Sequence, residues 1–63
     1  MKDEEIVFSL LKKDLEKKNK VGASRLFKMA SLMNITTDKY QKALEHLIED
    51  KKIAKSGYAF VLA

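Results

Sequence analysis

The stretch Met29-Ala30-Ser31-Leu32-Met33-Asn34-Ile35-Thr36-Thr37-Asp38-Lys39-Tyr40-Gln41-Lys42-Ala43-Leu44 decides the fold. Apolar residues stand at Met29, Met33, Ile35, Tyr40, Ala43 and Leu44, the spacing that two short helices need to cross through one small core. Ala30 puts a tiny side chain inside the first of these helices, where the second can approach closely. A tight turn between such helices needs one residue with positive φ, usually glycine. Asn34 falls at that corner, and asparagine is the non-glycine residue that tolerates the conformation most cheaply. Thr36-Thr37-Asp38 then offers a hydroxyl to cap the following helix and a carboxylate for its first turn.

Upstream, Met1 to Asn19 reads as a helix with Asp3, Glu4 and Glu5 in its first turn. Ile6, Val7, Leu10, Leu11 and Leu15 form its buried stripe. Phe8 lies to one side of that stripe, as a core edge or as a dimer contact. Lys17-Lys18-Asn19-Lys20 is a polar break, the usual form of a solvated helix end. Val21-Gly22-Ala23 is short and extended. Gly22 or Ser24 starts a second helix reaching about Met33, with Ser24 the favoured cap, Leu26, Phe27, Ala30 and Met33 inward and Arg25, Lys28 and Ser31 outward.

Downstream, a third helix is expected from about Thr37 to Asp50, burying Tyr40, Ala43, Leu44, Leu47 and Ile48. A hairpin comes after it. A two-residue Ser56-Gly57 turn would pair Lys55 with Tyr58, Ala54 with Ala59, Ile53 with Phe60 and Lys52 with Val61. Ile53, Phe60 and Leu62 then share one face.

Ala30, Asn34 four residues on and Ile35 directly after it, with apolar positions before and behind, resemble the helix-turn-helix of DNA-binding proteins. The tail from Lys52 to Leu62 resembles the β-hairpin wing that succeeds such a motif. Together they resemble the winged helix-turn-helix family across nearly the whole chain. The implied architecture is one domain over residues 1–63, mainly α with a small β-hairpin: three helices and a C-terminal two-stranded wing. Two positions depart from the family pattern: Asn34 stands for the usual Gly, and Tyr40 for the usual Val, Ile or Leu. The Tyr40 hydroxyl must therefore reach water or a partner. The resemblance also implies a short bridge near Val21-Gly22-Ala23 that pairs with the wing. It further implies that the exposed face of the third helix, with Thr36, Thr37, Asp38, Gln41, Lys42 and Glu45, meets bases or the adjoining backbone.

Composition narrows the function. Sixty-three residues give a marginal core, and no cysteine is present to staple it. One histidine and no cysteine leave no plausible zinc set, so no metal and no cofactor is expected. His46 has no oriented nucleophile near it by any motif, the two glycines form no phosphate loop, and the chain is short for a substrate pocket. No enzyme activity and no small-molecule ligand are expected. No apolar run approaches the roughly 20 residues of a membrane span, and no signal-peptide core comes after Met1. The expected setting is cytoplasmic and nucleoid-associated, and Met1 suggests a natural full chain. Thirteen Lys plus Arg against nine Asp plus Glu give +4, of which +3 lies from Ser24 onward.

These readings lead to a small sequence-specific double-stranded DNA-binding protein, a transcriptional regulator. Thr36 and Thr37 would donate to phosphate or touch a thymine methyl, Gln41 would bond adenine, and Lys42 would reach guanine or phosphate. Lys39 and Arg25 would clamp the backbone, with Lys28 beside them on the second helix and Lys55 at the wing tip. One helix reads too few base pairs to find a genomic site, so a homodimer is expected, through Phe8 and its neighbours on helix one and the chain ends. A compact chain with no ligand domain is similar, by analogy alone, to regulators of mobile elements. The alternative is a protein-interaction module using the face of the third helix, motivated by Asp38, Glu45 and the modest net charge.

Overall fold

The computed structural model describes residues 3–63. The chain runs α1 (Asp3–Leu15), β1 (Val21–Gly22), α2 (Ala23–Leu32), α3 (Thr37–Glu49), β2 (Ile53–Ser56) and β3 (Ala59–Leu62). The fold is mainly helical, with one small antiparallel sheet of strand order β1-β3-β2. The core joins Val7 and Leu11 of α1, Leu26 and Ala30 of α2, Tyr40, Ala43 and Leu47 of α3, and Val21, Ile53 and Phe60 of the sheet. Among the described residues no polar or charged residue is buried in it.

α1 ends earlier than the expected Asn19. The amides of Lys17 and Lys18 both donate to the Asp14 carbonyl, at 3.1 and 3.2 Å, and close the helix. The chain must turn there to deliver Val21, fully buried, to the sheet. The expected helical start at Met1 and Lys2 lies outside the described residues. Phe8 is half-buried against the core. Its ring lies under two cations, Lys12 Nζ at 5.1 Å and Lys52 Nζ at 5.8 Å from its centroid.

Ser24 is not the cap of α2. The helix starts two residues sooner, after Gly22, with no side-chain cap. Its first amide is satisfied across the sheet instead: Ala23 N–H donates to the Tyr58 carbonyl at 2.8 Å. At the other end the expectation for Asn34 holds, with φ at +62°. Asn34 N–H donates to Ser31 O at 3.0 Å and Ile35 N–H to Ala30 O at 3.1 Å, the paired bonds of a Schellman cap. Ile35, 4% exposed, drops into the core right after the corner. Met33 does not point inward as expected. As the last residue before the left-handed turn it is half-exposed.

α3 starts with Thr36 as cap, whose hydroxyl oxygen accepts from Lys39 N–H at 3.4 Å. Tyr40 is buried, and its hydroxyl finds the partner it needs: it donates to the Ala23 carbonyl at 3.2 Å. The ring packs edge-on against Phe27 at 5.2 Å between centroids. Ile48, expected inside, is 40% exposed, because it lies at the margin of the Tyr40–Ala43–Leu47 stripe. The helix closes with a second left-handed residue that the sequence did not announce, Lys51 at φ +59°.

The hairpin register differs from the expected one. Ser56 pairs with Ala59, Lys55 with Phe60, Ala54 with Val61 and Ile53 with Leu62. The turn is therefore Gly57-Tyr58, not Ser56-Gly57. Gly57 has φ +63° while Tyr58 does not enter that region. Glycine alone in the first central position is the sign pattern of a type II′ turn, whereas the expected turn would have forced positive φ on Ser56 as well. β1 sets the same register from the other side, pairing Val21 with Phe60 and Gly22 with Ala59. Each partner moves by two residues, an even number, so Ile53, Phe60 and Leu62 still share a face.

Candidate functional site

Tyr40, Ala43 and Leu47 turn one side of α3 to the core. At 3.6 residues per turn the opposite side falls on Asp38, Glu45 and Glu49, with Lys42 and Gln41 flanking them. All five are exposed. Lys39 and Lys42 are the only lysines of α3 against those three carboxylates, so this helix carries a slight negative excess although the chain is basic.

Two grooves border α3 on one flank. The first, about 360 Å³, lies between α2 and α3 and is lined by Ser24, Phe27, Thr37, Tyr40, Gln41 and Leu44, with Ala23. The second, about 200 Å³, lies between α3 and the hairpin and is lined by Gln41, Leu44, Glu45, Ile48, Lys55 and Phe60. Gln41 and Leu44 belong to both. A continuous surface therefore runs from the first turn of α2, over the N-terminal half of α3, to the hairpin. Beyond it stands Tyr58 at the hairpin tip, 93% exposed. The tip is held close to α2 by the bond between Ala23 N–H and the Tyr58 carbonyl.

The other flank of α3 faces α1. Lys39, Lys42 and His46 line a groove of about 310 Å³ with Asp3 and Glu4. His46 Nδ1 approaches Glu4 Oε2 at 3.3 Å, a salt bridge only when the imidazole is protonated. That oxygen is covered and accepts no well-formed hydrogen bond from the described residues.

The expected site residues thus divide. Thr37, Gln41 and Lys55 come together along the continuous surface. Lys39 and Lys42 stand apart from them, on the α1 side. Thr36 is exposed, but its hydroxyl oxygen is used in capping. Lys28 is exposed on α2. Arg25 is engaged within the chain: Nε lies 2.7 Å from Asp14 Oδ2 and Nη2 3.3 Å from Asp14 Oδ1. This fork pins the end of α1 to the start of α2. The hydrogen bonds from Arg25 are the main reason that the Asp14 carboxyl is held below the usual carboxylate range, with desolvation opposing and the charges of Arg25, Lys18 and Lys17 assisting. Arg25 is raised by the same bonds. The pairing uses Nε–H and one Nη2–H of the five guanidinium donors, so a backbone contact by Arg25 would draw on the remaining three.

Ser24 belongs to the surface and was not expected there. As the cap of α2 its hydroxyl would have turned to the helix end; with the helix starting two residues sooner it lines the groove. Among the described residues no three His, Cys, Asp or Glu side chains gather as a metal site would require. No helix among them is long and apolar enough to cross a membrane. Against models of protein families, curated proteins and solved structures, the chain finds no match.

Proposed function

We propose that this chain is a winged helix-turn-helix domain that binds double-stranded DNA as a sequence-specific transcriptional regulator. One observation carries the reading: Gln41 sits at the centre of a surface that joins the first turn of α2, the N-terminal half of α3 and the hairpin. A helix of this kind fits the major groove, and a Gln side chain matches the donor and acceptor pair on the adenine edge. Ser24 and Thr37 hydroxyls, flanking it, suit phosphate oxygens. Lys55 on the hairpin supplies a cation to the backbone beyond the groove edge. The left-handed corner at Asn34 supports the reading because it fixes the angle at which α3 projects.

The carboxylates of α3 temper the non-specific component of binding, since phosphate attraction is the sequence-independent part of affinity. Specific contacts must then carry more of the discrimination. In vitro selection of duplexes and then a salt titration test this. Binding to the selected site should weaken with salt at a log–log slope of roughly −0.9 per phosphate neutralised. Gln41→Ala should cost about 1–3 kcal/mol on that site and relax preference at one base pair, whereas Lys55→Ala should lower the slope by about 1 without changing preference. A duplex that shows no salt-sensitive binding ends the proposal.

The row Asp38, Glu45 and Glu49 favours a second reading, a module that docks a basic protein surface on the outer side of α3. The same titration separates them. In that case DNA affinity is absent and charge-neutral replacements of the three acids abolish the partner contact.

A further inference from the structure

α1 carries a self-complementary row. Glu5, Ser9 and Lys13 are four residues apart, hence on one stripe of the helix, and all three are exposed. Beside this row lies an apolar groove of about 240 Å³, lined by Ile6, Ser9, Leu10, Lys13 and Met33. Its rim continues onto the last turn of α2, where Leu32 is 83% and Met33 52% exposed. A surface of this kind, apolar at the centre with opposite charges at its two ends, is what an isologous contact needs.

We propose that this α1–α2 face is the homodimer interface, and that the occupant is a second copy of the chain with its α1 antiparallel to the first. A two-fold axis passing at Ser9 sets Glu5 of one copy opposite Lys13 of the other, twice over. The small Ser9 side chain lets the helices approach at the axis, and Ile6, Leu10, Leu32 and Met33 cover one another around it. A parallel arrangement would set Glu5 against Glu5 and Lys13 against Lys13. Antiparallel pairing also aligns the helix dipoles favourably. Phe8 is on the other flank of α1, under Lys12 and Lys52, and takes no part. The surface supplies the second copy that the DNA reading calls for, but it is argued without DNA and is tested without it, so either can fail alone.

Sedimentation equilibrium of the full chain over a wide concentration range is the test. The expected result is a concentration-dependent monomer–dimer equilibrium that weakens with salt. Lys13→Glu, which sets acid against acid at both ends, should raise the dissociation constant by about tenfold, as should Glu5→Lys. The double exchange Glu5→Lys with Lys13→Glu should return it to within about threefold of the parent. Leu32→Ser should weaken the dimer without lowering the helical circular dichroism, because that side chain is exposed in the monomer. A monomer at every concentration overturns the proposal. So does a dimer indifferent to the charge reversals and to Leu32→Ser.

Discussion

At the end of α2, Asn34 takes a φ of +62°, and at the end of α3 Lys51 takes +59°. The hydrogen bonds around them correspond one to one. Asn34 N–H reaches Ser31 O at 3.0 Å and Ile35 N–H reaches Ala30 O at 3.1 Å; Lys51 N–H reaches Ile48 O at 3.0 Å and Lys52 N–H reaches Leu47 O at 2.9 Å. Both are Schellman caps. They differ in where the chain is anchored next. After Asn34 the adjacent residue, Ile35, is the hydrophobic anchor; after Lys51 the adjacent residue is exposed Lys52, and the anchor is Ile53 one position later, 2% exposed. Asparagine accepts the left-handed conformation at small cost, whereas lysine has no local reason to adopt it. The α2 corner is therefore made by its own residues. The α3 corner is imposed by its flanks, a buried helix and a paired strand.

The largest expected effects fall on the carbonyl-bearing residues beneath the two caps. Leu47 is 1% exposed and Ala30 fully buried. Leu47→Ala should cost about 2–5 kcal/mol through the cavity it opens. In a chain this short that is enough to leave much of it unfolded at room temperature, which far-ultraviolet circular dichroism would register. Ala30→Leu should cost about 1–3 kcal/mol through overpacking where α3 crosses, read as a lower urea midpoint at unchanged slope. If Ala30→Leu were neutral, the close approach at the α2 corner would lose its argument.

The caps themselves come next. Lys51→Gly should stabilise by about 0.5–1 kcal/mol, because relief of the left-handed strain outweighs the added freedom of the unfolded chain. Asn34→Gly should do little, since asparagine already tolerates the conformation, and Asn34→Ala should cost about 1 kcal/mol. Equal gains from glycine at both corners would erase the difference between them.

The smallest effect tests the burial of Tyr40, which ties α3 back to the start of α2. Burial raises the Tyr40 phenol above its ordinary 10.0. The folded state therefore holds that proton more tightly than the unfolded state. The resulting stability is complete below pH 10 and is lost as pH rises through the folded value. Tyr40→Phe should flatten that alkaline limb of the urea midpoint. An unchanged limb would mean that the phenol is not buried in the folded state.

Much of the fold is legible in residue order. The helix-breaking Asn34, the hydroxyl of Thr36 and the stripe of Tyr40, Ala43 and Leu47 are local signals, and each stands where expected. Gln41, Thr37 and Lys55 are also candidates on sequence grounds; the phase of α3 puts Thr37 and Gln41 on one surface, and the packing of the hairpin brings Lys55 to it. The misplaced features share a different cause. The hairpin turn moves by one residue because β1 pairs with β3 and because glycine suits the first turn position better than the second. Arg25 pairs with Asp14, eleven residues away, a partner that no spacing rule within one helix would suggest.

Residue order is enough to settle which segments are helical, which of their faces are apolar, and where the chain bends between α2 and α3. Those properties depend on neighbours within a few positions. Long-range packing chose the strand register, the left-handed Lys51, the start of α2 and the capture of Arg25. Each of those is a choice between local options of nearly equal energy. Hydrogen bonds and burial contributed by distant segments settle such choices.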